Sequence, residues 1–447
     1  MKCSYTILIL IFLFCCNQSF GQNDTLVPPD NIKTGWTFGL LPAVSYNSDL
    51  GFQYGGVVNF FHYGDGSRYP KYNHSLFLEI SRFTKGSGIN RFFYDSDQLI
   101  PNLRTTADLS FLTEKALNFY GFNGYDAVYN PEWEDDENLT DYISRVYYRH
   151  ERQKFKFTFD LQGKLSGNHL RWLAGIGLFK TQIAPVDINA LNKGKDDYEL
   201  LPDVPGLYDR YVEWGVISEK EKEGGWNNHL KLGVVFDTRD FEPNPSKGVW
   251  SEVIFFISPD IAGNDFGYTK MSLTHRQYIP VLPQKKLTLA LRGHYQTTIA
   301  GNVPFYMQPY LISSFYNAAN TDALGGARTL RGVLRNRVVG DGVVMGNAEL
   351  RWRSNPKILF KQNFYLGINA FFDTGRVVDK IDIDTSGVPE NERSVFFDPG
   401  AERFHSSLGA GIRVVMNENF IVAFDFGKPL DARDGNSGLY IGLNYLF

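Results

Sequence analysis

Gly325-Gly-Ala-Arg-Thr-Leu-Arg-Gly332 stands shortly before Gly346-Asn-Ala-Glu-Leu-Arg-Trp-Arg353. The first stretch is a glycine-rich loop that closes a long polar excursion over 299–342. The second reads as a strand with charge on alternate positions. A loop of that length is either floppy or held. Arg331-Gly332 offers a means of holding it, because glycine lets backbone approach closely and a guanidinium forks onto carboxylates. The competing reading leaves Arg331 in solvent on a surface loop.

Working outward from this loop, apolar and polar residues alternate over most of the chain, which is the period of a strand with two unlike faces. Phe155, Phe157, Phe159 and Leu161 share one face; Lys154, Lys156, Thr158, Asp160 and Gln162 share the other. Phe404, Leu408, Ala410, Ile412 and Val414 oppose His405, Ser407, Gly409, Gly411 and Arg413. At the end of the sequence Leu439, Ile441, Leu443, Tyr445 and Phe447 fall on one face. A soluble sandwich alternates too, but its strands usually run to five or six residues. Many runs here have the length a tilted strand needs to cross a bilayer.

The pattern predicts strands near 35–46, 51–62, 73–84, 88–96, 104–115, 139–165, 168–182, 226–240, 248–258, 265–280, 284–298, 343–355, 362–374, 404–416, 418–427 and 437–446. Taking 139–165 as one long strand gives about sixteen, and even counts are the rule for bacterial single-chain barrels. The long segments 116–138, 183–225, 299–342 and 375–403 then share the extracellular side. The expected fold is all-β: a transmembrane antiparallel β-barrel over 35–447 with an inward-folded extracellular loop. In that barrel Ala348, Leu350 and Trp352 face lipid, and Asn347, Glu349, Arg351 and Arg353 face the lumen. Phe364 to Phe372 face lipid at every second position, which turns Asn369 and Asp373 inward. Glu349 and Asp373 are then lumenal carboxylates on neighbouring strands, within reach of Arg331 if the loop folds in.

Composition fits an exported membrane barrel. Lys2, the apolar run Tyr5–Phe14 and Ser19-Phe20-Gly21 form a secretory signal over 1–21. A lipoprotein site at Cys15 or Cys16 is disfavoured by Phe14, which stands where a small residue is wanted. All three cysteines lie in that segment, so no disulfide framework or cysteine chemistry is expected beyond it. No later apolar run is long enough for a membrane-spanning helix. The 36 Phe and 25 Tyr suit the aromatic girdles of a barrel. A net charge of −4 argues against nucleic acid as a partner. Residues 22–34, with Pro28-Pro29, read as a short periplasmic linker.

Thr329-Leu330-Arg331-Gly332, preceded by Gly325-Gly326, resembles the sixth-loop motif of the BamA/TamA-type outer-membrane barrels, the bacterial surface antigen family. Three further stretches resemble that family in the same order. Phe236-Asp-Thr-Arg-Asp240, continuing through Pro243 and Pro245 to Gly248, is similar to its strand-end and tight-turn signature. Asn347-Ala-Glu-Leu350 is similar to the strand after the loop, and Phe371-Phe-Asp-Thr-Gly375 to the end of the next. The resemblance covers 226–447 by motif and the first half by pattern. It implies the pairing of Arg331 with Glu349 and Asp373. It also implies a role in inserting or translocating proteins, or remodelling lipid, at the seam between first and last strands of a Gram-negative-type outer membrane. Assembly members carry periplasmic POTRA domains before the barrel, and 22–34 is too short for one.

Asp237, Arg239, Asp240 and Gly248 read as a structural set that pairs at a strand end and fixes a Pro/Gly turn. His150, His294 and His405 come without a nucleophile motif, so lumen lining explains them better than hydrolysis. Glu132-Trp-Glu-Asp-Asp-Glu137 lacks calcium-ligand spacing and reads as a solvated acidic loop. Gly121 and Gly124, beside Tyr120, Phe122 and Tyr125, read as turn residues with aromatic anchors. No catalytic site, metal or cofactor is expected. The expected partners are outer-membrane lipid and other envelope proteins. The rival reading is a passive pore or a structural barrel subunit of a larger envelope complex.

Overall fold

The computed structural model describes residues 31–43, 45–47, 51–138, 140–261, 263–314 and 322–447. The chain divides into Met1–Ile32 and Lys33–Phe447. The signal expected over 1–21 and most of the linker expected over 22–34 lie outside the described residues.

Within Lys33–Phe447 the alternating segments pair into one antiparallel sheet of eighteen strand segments among the described residues. Ser45–Asn47 continues Trp36–Pro42 along the same partner strand, and Lys357–Leu359 likewise continues Gly342–Arg353. Merging these two short pieces leaves sixteen staves. In chain order they are β1 (Trp36–Pro42 with Ser45–Asn47), β2 (Gly51–His62), β3 (His74–Phe83), β4 (Gly88–Ile100), β5 (Leu103–Asn118), β6 (Arg149–Ser166), β7 (Leu170–Ala184), β8 (Gly224–Asp237), β9 (Gly248–Ser258), β10 (Tyr268–Leu282), β11 (Leu287–Gly301), β12 (Gly342–Arg353 with Lys357–Leu359), β13 (Gln362–Asp379), β14 (His405–Met416), β15 (Phe420–Pro429) and β16 (Gly438–Leu443). Each pairs with the next. At the two ends of the sheet, Val57 and Phe61 of β2 and Tyr63 just after it cluster with Phe420 of β15 and Leu443 of β16. Asn419 donates to the Tyr63 hydroxyl at 2.8 Å and to the Pro70 carbonyl at 2.7 Å.

The distribution of burial inverts that of a soluble protein. On β6 the polar set Lys154, Lys156, Thr158, Asp160 and Gln162 is at most 3% exposed, while the Phe155, Phe157 and Phe159 face is half-buried. Ile368, Phe372, Leu408 and Ile412 are exposed on the outside of β13 and β14. Charges turned inward find partners there: Lys231 lies 2.5 Å from Asp160, and Arg91 lies 2.8 Å from Asp108. An apolar exterior around a charged, paired interior is what lipid outside demands.

Two expectations need correction. The strand expected to start at 139 starts at Arg149. Tyr147 and Tyr148 instead turn into an aromatic cluster with Tyr120, Phe122, Tyr208, Tyr211, Trp214, Phe396 and Phe397, because adjacent large rings cannot all satisfy a period of two. That cluster joins the long loops 119–148, 185–223 and 380–404, with Phe305 and Tyr306 from 302–341, into a packed cap on one side of the sheet. Tyr445 and Phe447 do not share the outward face of Leu439 and Ile441. Asn444 adopts φ +69°, the chain leaves the sheet, and both rings are buried. Phe447 packs with Tyr278 of β10, beneath the guanidinium groups of Arg292 and Arg351.

The inverted burial predicts a sided response to charge. Ile412→Arg, on the outer face near the middle of β14, should destabilise the protein by about 2–4 kcal/mol in urea titrations from lipid vesicles. A change under about 0.5 kcal/mol, typical of a water-exposed site, would place this face in water.

Candidate functional site: a loop clasped inside the barrel

The loop 302–341 connects β11 to β12, and its described stretch 322–341 settles against the inner wall through side chains that match that wall. Leu324, Leu330, Val333 and Val338 pack with Val343, Met345 and Val377 of β12 and β13. The Thr329 hydroxyl accepts from Gly325 N at 2.8 Å and closes a turn that needs the positive φ of Gly325 and Gly326. Gly332, at φ +100°, lies on β15; a Cβ there would come within 2.6 Å of the Gly427 backbone. Its N–H donates to the Tyr440 hydroxyl at 3.0 Å. Glycine is required twice over at 332, by conformation and by space.

This placement drives Arg331 into the wall. Its side chain and those of Glu349 and Asp373 are fully buried. Nε and Nη2 donate to the two Asp373 carboxylate oxygens at 2.9 and 3.0 Å, and the Arg331 backbone N–H adds a third bond to Asp373 at 3.1 Å. Nη1 lies 2.6 Å from Glu349. The guanidinium stacks 3.5 Å from the centre of the Phe371 ring. Asn347 donates at 2.8 Å both to Asp373 and to the Thr329 carbonyl, so one side chain fixes the carboxylate and the loop together.

Further residues complete the charge balance. Asp425 of β15 lies 3.7 Å from Arg331 and receives Arg413 of β14 through two bonds of 2.9 and 2.8 Å. Arg351 donates to Glu349 at 2.7 Å. Three arginines, Arg331, Arg351 and Arg413, thus face three carboxylates, and Arg292 stands beside them, donating to Asn347 at 2.7 Å. Asp425 and Phe371 were missing from the sequence reading of this site. The signal for Asp425 was present, since the alternation that sends Phe424 and Phe426 outward sends it inward.

The second set lies elsewhere. Arg239 forks onto Asp237 at 2.9 and 3.1 Å and stacks 4.2 Å from the Trp250 ring centre. Asp240 accepts from the N–H groups of Phe241, Ser246 and Lys247 at 3.0, 2.9 and 3.2 Å, and from Lys285 at 2.8 Å. Gly248, at φ +103°, has the Thr238 carbonyl where a Cβ would stand. These residues hold the turn 238–247, which also reaches across the sheet. Glu242 meets Arg104 of β5 at 2.7 Å, and Asn244 bonds Tyr365 of β13. Burial opposes ionisation of Glu242, yet Arg104 and Arg239 hold its carboxyl well below the usual range.

The three histidines singled out in the sequence are each held by polar partners. His294 bonds Thr274, and His150 bonds the Glu151 carbonyl. His405, fully buried, sits 2.5 Å from Asp434 and 3.2 Å from Glu402. In the acidic run, Glu134 pairs with Arg149 at 3.0 Å and Asp136 with Arg145, so the run is tied down in part rather than wholly solvated. Gly121 and Gly124 both take positive φ, with Tyr120, Phe122 and Tyr125 buried beside them.

Full burial decides the energetic regime of the clasp. An exposed ion pair contributes about 0–1 kcal/mol, whereas stranding a buried charge costs about 3–5 kcal/mol. Arg331→Ala should therefore lower the unfolding free energy by about 3–5 kcal/mol in urea titrations of the folded barrel. Arg331→Lys should recover less than half of that loss, because an ammonium cannot fork onto Asp373. Equal stability of wild type and Arg331→Ala would show that the pairs do not carry the loop.

Comparison with known proteins places this chain in a family. A family model described as the Omp85 superfamily domain matches residues 58–447. Among solved structures, BamA from Haemophilus ducreyi lacking POTRA domains 1–3 aligns over 92% of this chain and 71% of its own, with 14% identity and a TM-score of 0.49. CdiB from Escherichia coli aligns over 92% and 62%, with 11% identity and a TM-score of 0.49. CdiB from Acinetobacter baumannii aligns over 92% and 60%, with 16% identity and a TM-score of 0.47. This chain therefore spans less than two thirds of either CdiB structure. A search of curated proteins found no match. The chain belongs to the Omp85 superfamily.

Proposed function

We propose that this protein is an outer-membrane barrel that assists the insertion or translocation of proteins, with Arg331 as the anchor of a loop held inside the lumen. Omp85-superfamily barrels are outer-membrane proteins that insert or translocate proteins, and membership supports the coarse reading. The observation that carries the finer one is the buried clasp of Arg331 by Glu349 and Asp373, which fastens the loop to β12 and β13. A steadily open pore would have no use for that fastening. The loop and the inward tail Tyr445–Phe447 occupy the space a pore would leave clear.

The ends of the sheet support a role at the seam. β16 pairs over six residues, fewer than any other stave, and β1 consists of two segments. Few ladder bonds mean a low cost for local opening, and an exposed strand edge can template an incoming strand. The Asp237, Arg239, Asp240 and Gly248 set serves this reading as a rigid turn on the opposite side from the cap.

Reconstitution tests the proposal. Vesicles carrying the protein should fold a urea-unfolded outer-membrane porin faster than empty vesicles, while planar bilayers carrying the same protein show no large steady current. Equal folding rates together with a large steady current would favour the passive pore.

A further inference from the structure

Among the described residues of the loop 302–341, the clasp at Arg331 is accompanied by a second ion cluster. On its other flank, Asp322 accepts both nitrogens of the Arg152 fork, at 3.3 and 2.7 Å. Arg152 also reaches Glu114, with Nε at 2.8 Å and Nη2 at 2.6 Å. Arg335, four residues beyond Arg331, donates to Glu114 at 2.7 Å and to Asp322 at 3.1 Å. Two guanidinium groups and two carboxylates close a neutral ring. The Arg152 and Asp322 side chains are at most 5% exposed, and Arg335 forms the wetter rim.

The positions of the partners give this ring its meaning. Glu114 and Arg152 belong to β5 and β6, whereas Glu349 and Asp373 belong to β12 and β13. In a sheet of sixteen staves those pairs stand about half the circumference apart, on facing walls. The loop is bonded to both. At its root Arg337 donates to the carbonyls of Gly124 and Ala127 in the cap, at 2.9 and 3.2 Å.

We infer that Arg152, Glu114, Asp322 and Arg335 form a second clamp that works independently of the Arg331 clasp, so that the loop lies across the lumen as a bar fastened at both ends and lets go only when both fastenings break. This rests on reading Arg331 as the loop's anchor. Its chemistry differs from that clasp. The first fastening is dry, balanced by three wall carboxylates and sealed by Phe371; the second has its rim in water at Arg335. A charged segment of a polypeptide entering the lumen could exchange into the second ring far more readily than into the first. The second clamp is therefore the one a substrate would release first.

The test is a set of four full-length proteins in planar bilayers: wild type, Asp322→Asn, Arg331→Ala and the double variant, each shown to be folded by faster migration on unheated gels. Independent restraints have additive free energies, so the fold-increases in open probability should multiply, the double exceeding either single by roughly tenfold or more. Arg335→Ala, on the exposed rim, repeats the test with less risk to folding, and Asp322→Glu should stay as quiet as wild type. A double variant no more open than Arg331→Ala alone overturns the second clamp and leaves the Arg331 anchor standing. A double variant no more open than Asp322→Asn, with Arg331→Ala silent, overturns independence and removes the anchor as well. Four silent proteins would overturn both.

Discussion

A guanidinium removed from water must be met by carboxylates that are also removed from water, and this condition organises the lumen around residue 331. Asp373 takes the fork, Glu349 takes the remaining nitrogen, and Asp425 stands just beyond. Those three acids leave an excess of negative charge, which Arg351 and Arg413 neutralise. These wall charges lie on four staves, so the network ties β12, β13, β14 and β15 to one loop. Such a network does little for net stability compared with an apolar core, but it is strongly specific, since any slip of loop or register strands a charge. Register is thus policed from the inside by ion pairs and from the outside by lipid.

The lipid constraint explains why the network can exist at all. A bilayer leaves no water for exposed backbone, so the sheet must satisfy itself stave to stave and turn its apolar face outward. Polar residues are forced inward at every second position, where the lumen of a barrel this size would otherwise fill with water. Described parts of the loop 302–341 reach into that space from the cap side, and the turn 238–247 and the tail Tyr445–Phe447 from the other. Each carries side chains that complement the wall it meets: Arg331 at Asp373, Glu242 at Arg104, and Phe447 beneath Arg292 and Arg351.

Much of the fold was legible because a period of two is a local property. Lys154 and Phe155 announce their faces without reference to any distant residue, and so do Glu349, Leu350 and Asp373. Once parity assigned Glu349 and Asp373 to neighbouring inner walls, an arginine on a glycine-rich loop was their natural counter-charge. The reading failed where local pattern meets competition from packing. Tyr147 and Tyr148 look like strand residues and are drawn into the cap by the rings of Tyr120, Tyr208 and Tyr211. Tyr445 and Phe447 continue the alternation of β16 on paper, but the left-handed turn at Asn444 sends them into the lumen.

By itself the sequence determined which side chains alternate between the two faces and roughly how many staves there are, because both follow from neighbours along the chain; for Arg331 it offered Glu349 and Asp373 as partners beside a solvent-exposed alternative. Only the tertiary structure decided that Asp425 joins Glu349 and Asp373, that Arg152 and Glu114 hold the far end of the same loop, and that the chain's last residues turn inward. Those facts depend on which staves stand opposite one another and on which buried charges are left to be matched, and neither is written in any local stretch of residues.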